Sequence, residues 1–168
     1  MAYQVVDDQI GAPPLTDVST TQKVPLGTIV KIQDNALAVP TAGEALYFKA
    51  SGASIVAGSM VDYDSFLATG VLSPATAGTG PVGIAFATVL SGSFGWLQIS
   101  GKAAVKAPNA VVAGAEVWSL AATPGSVDDA VVAGEQILNA KFSSTTPVPA
   151  AGFAWMEMDR PFHQGGIT

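Results

Sequence analysis

The stretch VGIAFATVLSGSFGWLQISGKAA, Val82–Ala104, decides the fold class. Its apolar residues fall at Val82, Ile84 and Phe86 and again at Phe94, Trp96, Leu97 and Ile99, with Ser91-Gly92 between the two runs. Short runs rich in β-branched and aromatic residues on either side of a turn dipeptide spell two β-strands joined as a hairpin rather than a helix. Phe94 and Trp96 share parity with Gln98, whereas Leu97 and Ile99 take the other parity, so both faces of the second strand carry apolar side chains. A strand wetted on neither face belongs inside a barrel, a sandwich or a subunit contact.

The rest of the chain bears out a β class. With 168 residues it is long enough for one domain with a sizeable core. Hydrophobic residues make up 49% and charged residues 12%, against about 25% charged in an average soluble domain. Much of the exterior must therefore be Ala, Gly, Ser and Thr or be covered by other subunits. The net charge is −6 and the seven basic residues form no run, which argues against a nucleic-acid partner, since phosphate binding needs clustered cations. There is no cysteine, so neither a disulfide frame nor a thiolate metal site is possible. The opening MAYQVVDDQIG lacks the cations and apolar run of a signal peptide, and apolar stretches elsewhere are broken by Gly and Pro before spanning length. A non-secreted protein with no membrane partner is expected.

Upstream of the opening stretch, Met1–Gln22 is polar and turn-rich and reads as a disordered tail or as an extended arm laid on a neighbour. Ile29-Val30-Lys31-Ile32 reads as a strand, Asp34-Asn35 as a turn and Ala36–Val39 as the return; Ala45–Ala50 is another β-prone run. In MVDYDS, Asp62 and Asp64 share one face and Tyr63 takes the other, which reads as a solvated strand face because no third oxygen ligand recurs at loop spacing. Gly70–Pro81 reads as a loop of breakers without the Lys-Ser/Thr or following helix of a phosphate cradle.

Downstream, the chain repeats itself. IVAGSMVDYD at Ile55–Asp64 returns as VVAGAEVWSL at Val111–Leu120 and, more loosely, as VVAGEQILNA at Val131–Ala140. Phe86 aligns with Phe142, and Gly92–Ile99 is answered by Ala151–Met158, pairing Trp96 with Trp155. Two ordered elements recurring together predict a shared strand plan in the two halves. In each copy the Ala-Gly pair predicts a tight turn before a strand beginning at Met60, Val117 or Ile137. Asp128–Val132 reads as one helical turn or an irregular crossing, and no apolar pattern holds helical spacing for three turns.

The single histidine, His163, and the single arginine, Arg160, stand together in DRPFHQGGIT. No nucleophile is arranged beside His163 by motif, and one His does not define a metal centre. Arg160 is expected to pair locally with a carboxylate, Phe162 to pack a strand end, and Gly165-Gly166 to release the tail. No serine stands in a nucleophile elbow. The chain is therefore expected to be no enzyme and to use no catalytic residue, metal, cofactor or small-molecule substrate.

Gly83-Ile84-Ala85, then Gly92, then Gly95-Trp96-Leu97-Gln98-Ile99-Ser100-Gly101 resembles the decoration, or head-cement, proteins of tailed bacteriophages, over roughly Val24–Glu157. The resemblance implies a compact β-domain that binds the major capsid protein as a homotrimer on the outer surface of the virion and braces contacts between capsid subunits, after synthesis in the host cytoplasm. The organisation expected is an N-terminal arm or tail (1–22), a single β-domain with a weak internal repeat (23–160) and a C-terminal tail (161–168). The domain is expected to be all-β, a small barrel or sandwich built from hairpins with very little helix. Candidate interface residues are Tyr3, Val5, Val6, Ile10 and Leu15 of the arm, with Phe94, Trp96, Trp155 and Phe162. Other readings are a head-fibre base, tail-tube or spike domain, or a small β-barrel enzyme or carbohydrate-binding β-module using Trp96, Trp118 and Trp155 as a stacking surface.

Overall fold

A computed structural model describes residues 3–5, 11–34, 41–76, 78–143 and 150–165. Within these residues the chain is all-β. The strands are β1 (Tyr3–Val5), β2 (Ile29–Asp34), β3 (Thr41–Ala50), β4 (Met60–Tyr63), β5 (Thr69–Leu72), β6 (Val82–Ala85), β7 (Phe94–Lys106), β8 (Glu116–Ser119), β9 (Val127–Asp128), β10 (Gln136–Phe142) and β11 (Phe153–His163). They form one mixed sheet in the order β1-β2-β3-β5-β4-β6-β7-β11-β10-β8-β9. A further β3–β7 pairing closes a circuit through β5, β4 and β6, although the sheet does not close evenly round an axis. The β3–β5 pair is parallel and the others are antiparallel.

Strand β7 organises this arrangement. Its parity works as the sequence predicts: Phe94 and Trp96 pack in one core with Val30, Ile32, Ala45, Tyr47 and Leu15, while Leu97 and Ile99 pack in a second with Leu46, Phe48, Ile55 and Val61. Tyr47 meets the Trp96 ring edge-on at 5.0 Å and stacks with Phe94 at 6.1 Å. Beyond Gly101 the strand leaves β3 for β11, and Ala103 and Val105 enter a third core with Phe142, Met156 and Met158. Gly101 has φ +92° and lies against the Ala42 carbonyl and the Gly43 Cα, so a side chain there is both strained and obstructed by backbone. Gln98, the polar residue that broke the alternation, is buried; its amide donates to the carbonyls of Ser100 and Lys102 on either side of the bend. A Cβ at Gly95 would press on Val89 at 2.8 Å. The Gly-Trp-Leu-Gln-Ile-Ser-Gly phrase thus records a core aromatic and the needs of a bent strand.

The strand plan does repeat. Gly58 N–H donates to Ala85 O and Ala85 N–H to Ser59 O; Gly114 N–H donates to Phe142 O and Phe142 N–H to Ala115 O. Ala85↔Leu97 is matched by Phe142↔Met156, and Met60↔Ile84 by Glu116↔Lys141. The units β4-β6-β7 and β8-β10-β11 therefore share one register beside their Val-Ala-Gly turns, and they meet through β7 and β11 in the middle of the sheet. Phe142 corresponds to Ala85 rather than to Phe86; further along β10 the plan is interrupted, with residues 138–140 falling between the adjacent β8 partners Glu116 and Val117, and β11 carrying two residues more than β10 between Met158 and Phe162. Each Val-Ala-Gly phrase is the expected turn, closed by Ser59→Val56, Ala115→Val112 and Glu135→Val132 backbone bonds with the glycine φ at 77°, 84° and 78°. The same device precedes β2, β7, β9 and β11, at Gly27, Gly92, Gly125 and Gly152. Positive φ at the third position is the mark of a type II turn, which favours glycine.

Several expectations are corrected. β6 and β7 are antiparallel neighbours, but the segment 86–93 makes an excursion, with Val89 bridging Ile55, rather than a simple hairpin. Gly70–Leu72 belongs to β5 rather than to a loop, Gly70 lying where a Cβ would meet Phe48 and Val61. Val127-Asp128 is a strand paired with β8, and 129–132 contains no helical turn. β11 runs to His163, so 161–163 is strand and not tail. From Gly11 the N-terminal segment lies on its own domain: Ser19 and Phe94 exchange backbone hydrogen bonds, the Lys23 N–H donates to the Tyr47 hydroxyl, and Leu15 is buried. The Ala36–Val39 return lies outside the described residues; the described return from β2 is β3.

Gly101→Ala should lower stability by about 2–3 kcal/mol, from strain and displacement of the Ala42 carbonyl. Gly114→Ala, strained but with open space around its Cβ, should cost only about 1 kcal/mol. Thermal unfolding should rank the two in that order.

Candidate functional site

The densest polar cluster gathers where the end of β11 reaches β4. His163 Nε2 lies 2.9 Å from Asp62 Oδ1 and 3.1 Å from Ser73 Oγ, and the His163 side chain is fully buried. The packing is close, because a Cβ on Gly78 would overlap the imidazole; the Gly78 N–H points to Glu135 Oε2 at 3.4 Å. Backbone bonds complete the knot: His163 N–H to Gly80 O, Gln164 N–H to Gln136 O and Gly125 N–H to Ser73 O. Asp62 is thus buried rather than on a solvated face, while Asp64, its predicted companion, is exposed on the turn beyond.

Ser, His and Asp in contact invite a nucleophilic reading, but the geometry is that of a clamp. A relay needs the serine on one ring nitrogen and the carboxylate on the other. Here both oxygens share Nε2, Nδ1 has no partner among the described residues, and Ser73 is fully buried. What this arrangement does is tie the last strand to the first half of the sheet. Arg160 is paired not locally but with Glu44 on β3, at 2.8 Å. Among the described residues no cluster of three or more His, Cys, Asp or Glu side chains could hold a metal ion.

The surface carries the other candidate, the turn Asp64–Ala68 between β4 and β5. Phe66 is 93% exposed and Leu67 57%. The Asp64 carboxylate accepts the N–H groups of Phe66 and Leu67 at 2.7 and 3.0 Å, Ala68 N–H donates to Asp64 O, and Asp64 N–H to Thr69 O. Ala68 is buried with φ +49°, a conformation uncommon for a residue with a Cβ. The turn is held from several directions while it presents two apolar side chains. Beside it a hollow of about 620 Å³ is lined by Tyr63, Val71, Pro74 and Pro81 together with Asp62 and Asp64. Burial raises the Tyr63 phenol above its ordinary value, and the Arg160 charge works in the opposite direction.

Of the sequence-derived interface candidates, Leu15, Phe94, Trp96 and Trp155 are buried in this chain's own cores, and Phe162 is 40% exposed beside Pro81 rather than packing a strand end. Tyr3 and Val5 lie in β1, which pairs with β2; their side chains, and all of Val6 and Ile10, fall outside the described residues. Burial of Trp96 and Trp155 leaves Trp118, itself half-buried, without a second exposed indole for the three-tryptophan stacking surface. Sequence reasoning did not reach Phe66 and Leu67, because two adjacent apolar residues carry no sign of which way they face. Asp64 followed closely by Ala-Thr-Gly was the available turn signal.

Asp62→Ala and His163→Ala should each cost about 2–4 kcal/mol by leaving buried polar partners unmatched. The double variant should fall short of the sum by about 1–3 kcal/mol in a denaturation cycle. The Leu67 and Phe66 N–H groups hold the Asp64 carboxyl below its ordinary 3.8. A carboxyl lowered in the folded state contributes above the unfolded value and loses that contribution as pH falls through the folded one. Amide protection factors at Phe66 and Leu67, taken relative to the intrinsic exchange rate at each pH, should therefore hold above pH 3.8 and fall below it. Neither a scan of protein-family models nor a search of curated proteins finds a match for the chain.

Proposed function

We propose that the chain is a structural protein of a tailed-phage virion, which binds the outside of the head as a homotrimer and braces the major capsid subunits without catalysis or a cofactor. The observation that carries this reading is Phe66, almost fully exposed on a rigidly held turn, while the polar cluster with the richest chemistry is sealed inside as a clamp. A surface that grips another protein offers preorganised apolar anchors, and rigidity reduces the entropy lost on binding. The likeness of Gly83–Gly101 to head-cement proteins supports the family, and within it Gly95, Gln98 and Gly101 are positions that the close packing and bend of β7 require. The circuit β3-β5-β4-β6-β7 supports a small-barrel reading of the first half. The thin charge suits an adhesive surface, and a trimer multiplies modest contacts into a firm grip.

Light scattering should give three times the chain mass of 16.9 kDa. The purified protein should also sediment with undecorated heads prepared from a phage that encodes it and lacks its gene product. A monomer that leaves such heads bare would sink the proposal, and micrographs placing the protein on the tail would move it to another virion part.

A further inference from the structure

We propose that the Asp64–Leu67 turn is the part that faces the shell, and that the surface it grips is an apolar socket with a guanidinium or ammonium at its rim. The inference rests on the shell-binding reading above and states the chemistry of the partner at that site.

The turn presents a charge together with its apolar knob. The Phe66 and Leu67 N–H groups both donate to Asp64 Oδ1, which leaves the exposed carboxylate its second oxygen for a partner. The same two bonds favour the ionised carboxyl. An acceptor oriented in advance loses less freedom when an ion pair forms, so Asp64 is better placed for a cation than a free surface carboxylate. Phe66 stands beside it, and a guanidinium stacks on an aromatic face as readily as it pairs with a carboxylate.

The same character continues beyond the turn. The adjoining hollow of about 620 Å³ is lined by Asp62 and Asp64 and by no lysine or arginine, and the exposed Val71 is among its walls with Pro81. Arg160, whose charge reaches Tyr63 in that wall, is engaged by Glu44 on β3. An apolar face edged by carboxylates is complementary to an apolar face edged by cations.

A second copy is a poor source of that face. The chain has 13 acidic and seven basic residues, so its copies repel one another at long range. Lys23 and Arg160 are held in ion pairs, and Lys141 lies in a hollow with Glu116, Glu157 and Asp159. The cation at the socket therefore belongs to a different protein, which on the reading above is the major capsid subunit.

The test is affinity for undecorated heads, measured with the full chain over a range of ionic strength. Wild-type binding should weaken as salt rises. Asp64→Asn keeps an amide oxygen for the two N–H groups and removes the charge; it should retain the trimer mass and the amide protection at Phe66 and Leu67, lose about fivefold in affinity and flatten the salt dependence. Phe66→Ser should lose about thirtyfold while keeping the salt dependence. Val131→Ser, at an exposed valine before β10, should bind like the wild type. Heads that bind Asp64→Asn as tightly as the wild type would overturn the cationic socket. Unchanged binding of both turn variants would overturn the turn as the grip and leave shell binding standing, whereas wild-type protein that leaves heads bare would remove the reading beneath it. A trimer that dissociates in Phe66→Ser would overturn the proposal by assigning the turn to a contact between copies.

Discussion

The fold depends on one strand serving three hydrophobic cores. β7 is 13 residues long and gives Phe94 and Trp96 to one core, Leu97 and Ile99 to the second, and Ala103 and Val105 to the third. A straight strand has two faces, so a third core requires a change of direction. Gly101 supplies it with a left-handed backbone, and Gln98 donates to the Ser100 and Lys102 carbonyls beside the bend, where the β3 ladder shifts register and ends. Buried carbonyls must find donors. The one polar side chain among the buried residues Phe94–Ile99 is therefore part of what lets the strand change partners.

Around that strand the protein is two copies of a three-strand plan joined back to back. The common register holds beside the turns and is interrupted further on, where Asn139 of β10 and Arg160 of β11 take positive φ, and Phe142 still lies opposite Met156. Its mate in the first copy is Ala85, so equivalent sites carry a large and a small side chain. The two halves fill their cores differently on the same backbone pattern. The clamp of His163, Asp62 and Ser73 then links them a second time, away from the β7–β11 seam.

Much of the fold was legible because it is local. Val-Ala-Gly announces a turn through a glycine that must adopt positive φ, and the same logic extends to Pro-Leu-Gly, Leu-Ser-Gly, Thr-Pro-Gly and Ala-Ala-Gly. Strands at Ile29–Ile32, Ala45–Ala50 and Phe94–Ile99 follow from β-branched and aromatic runs. The clamp was not legible, because Asp62 and His163 lie far apart in sequence and alternation beside Asp64 made Asp62 look solvated. Pro161, which usually ends a strand, hid the last residues of β11, and Gly70, small because Phe48 and Val61 crowd it, made β5 look like a loop. Exposure of Phe66 depends on a turn fixed by side-chain capping and by an alanine at positive φ, which composition does not reveal.

The place of β11 bears on how the chain is made. Strand β11 sits in the middle of the sheet, between β7 and β10, although it is made after both. Until it emerges, the far half of β7 and one side of β10 are bare ladders, each flanked by apolar side chains. Vectorial synthesis cannot complete such a sheet progressively, because the β7 and β10 ladders are joined only through β11. Exposed strand edges in that interval invite pairing between neighbouring nascent chains. Dense translation from a polysome is therefore the stage at which this sheet is most open to mispairing, and a stop before β11 would leave both ladders unpaired.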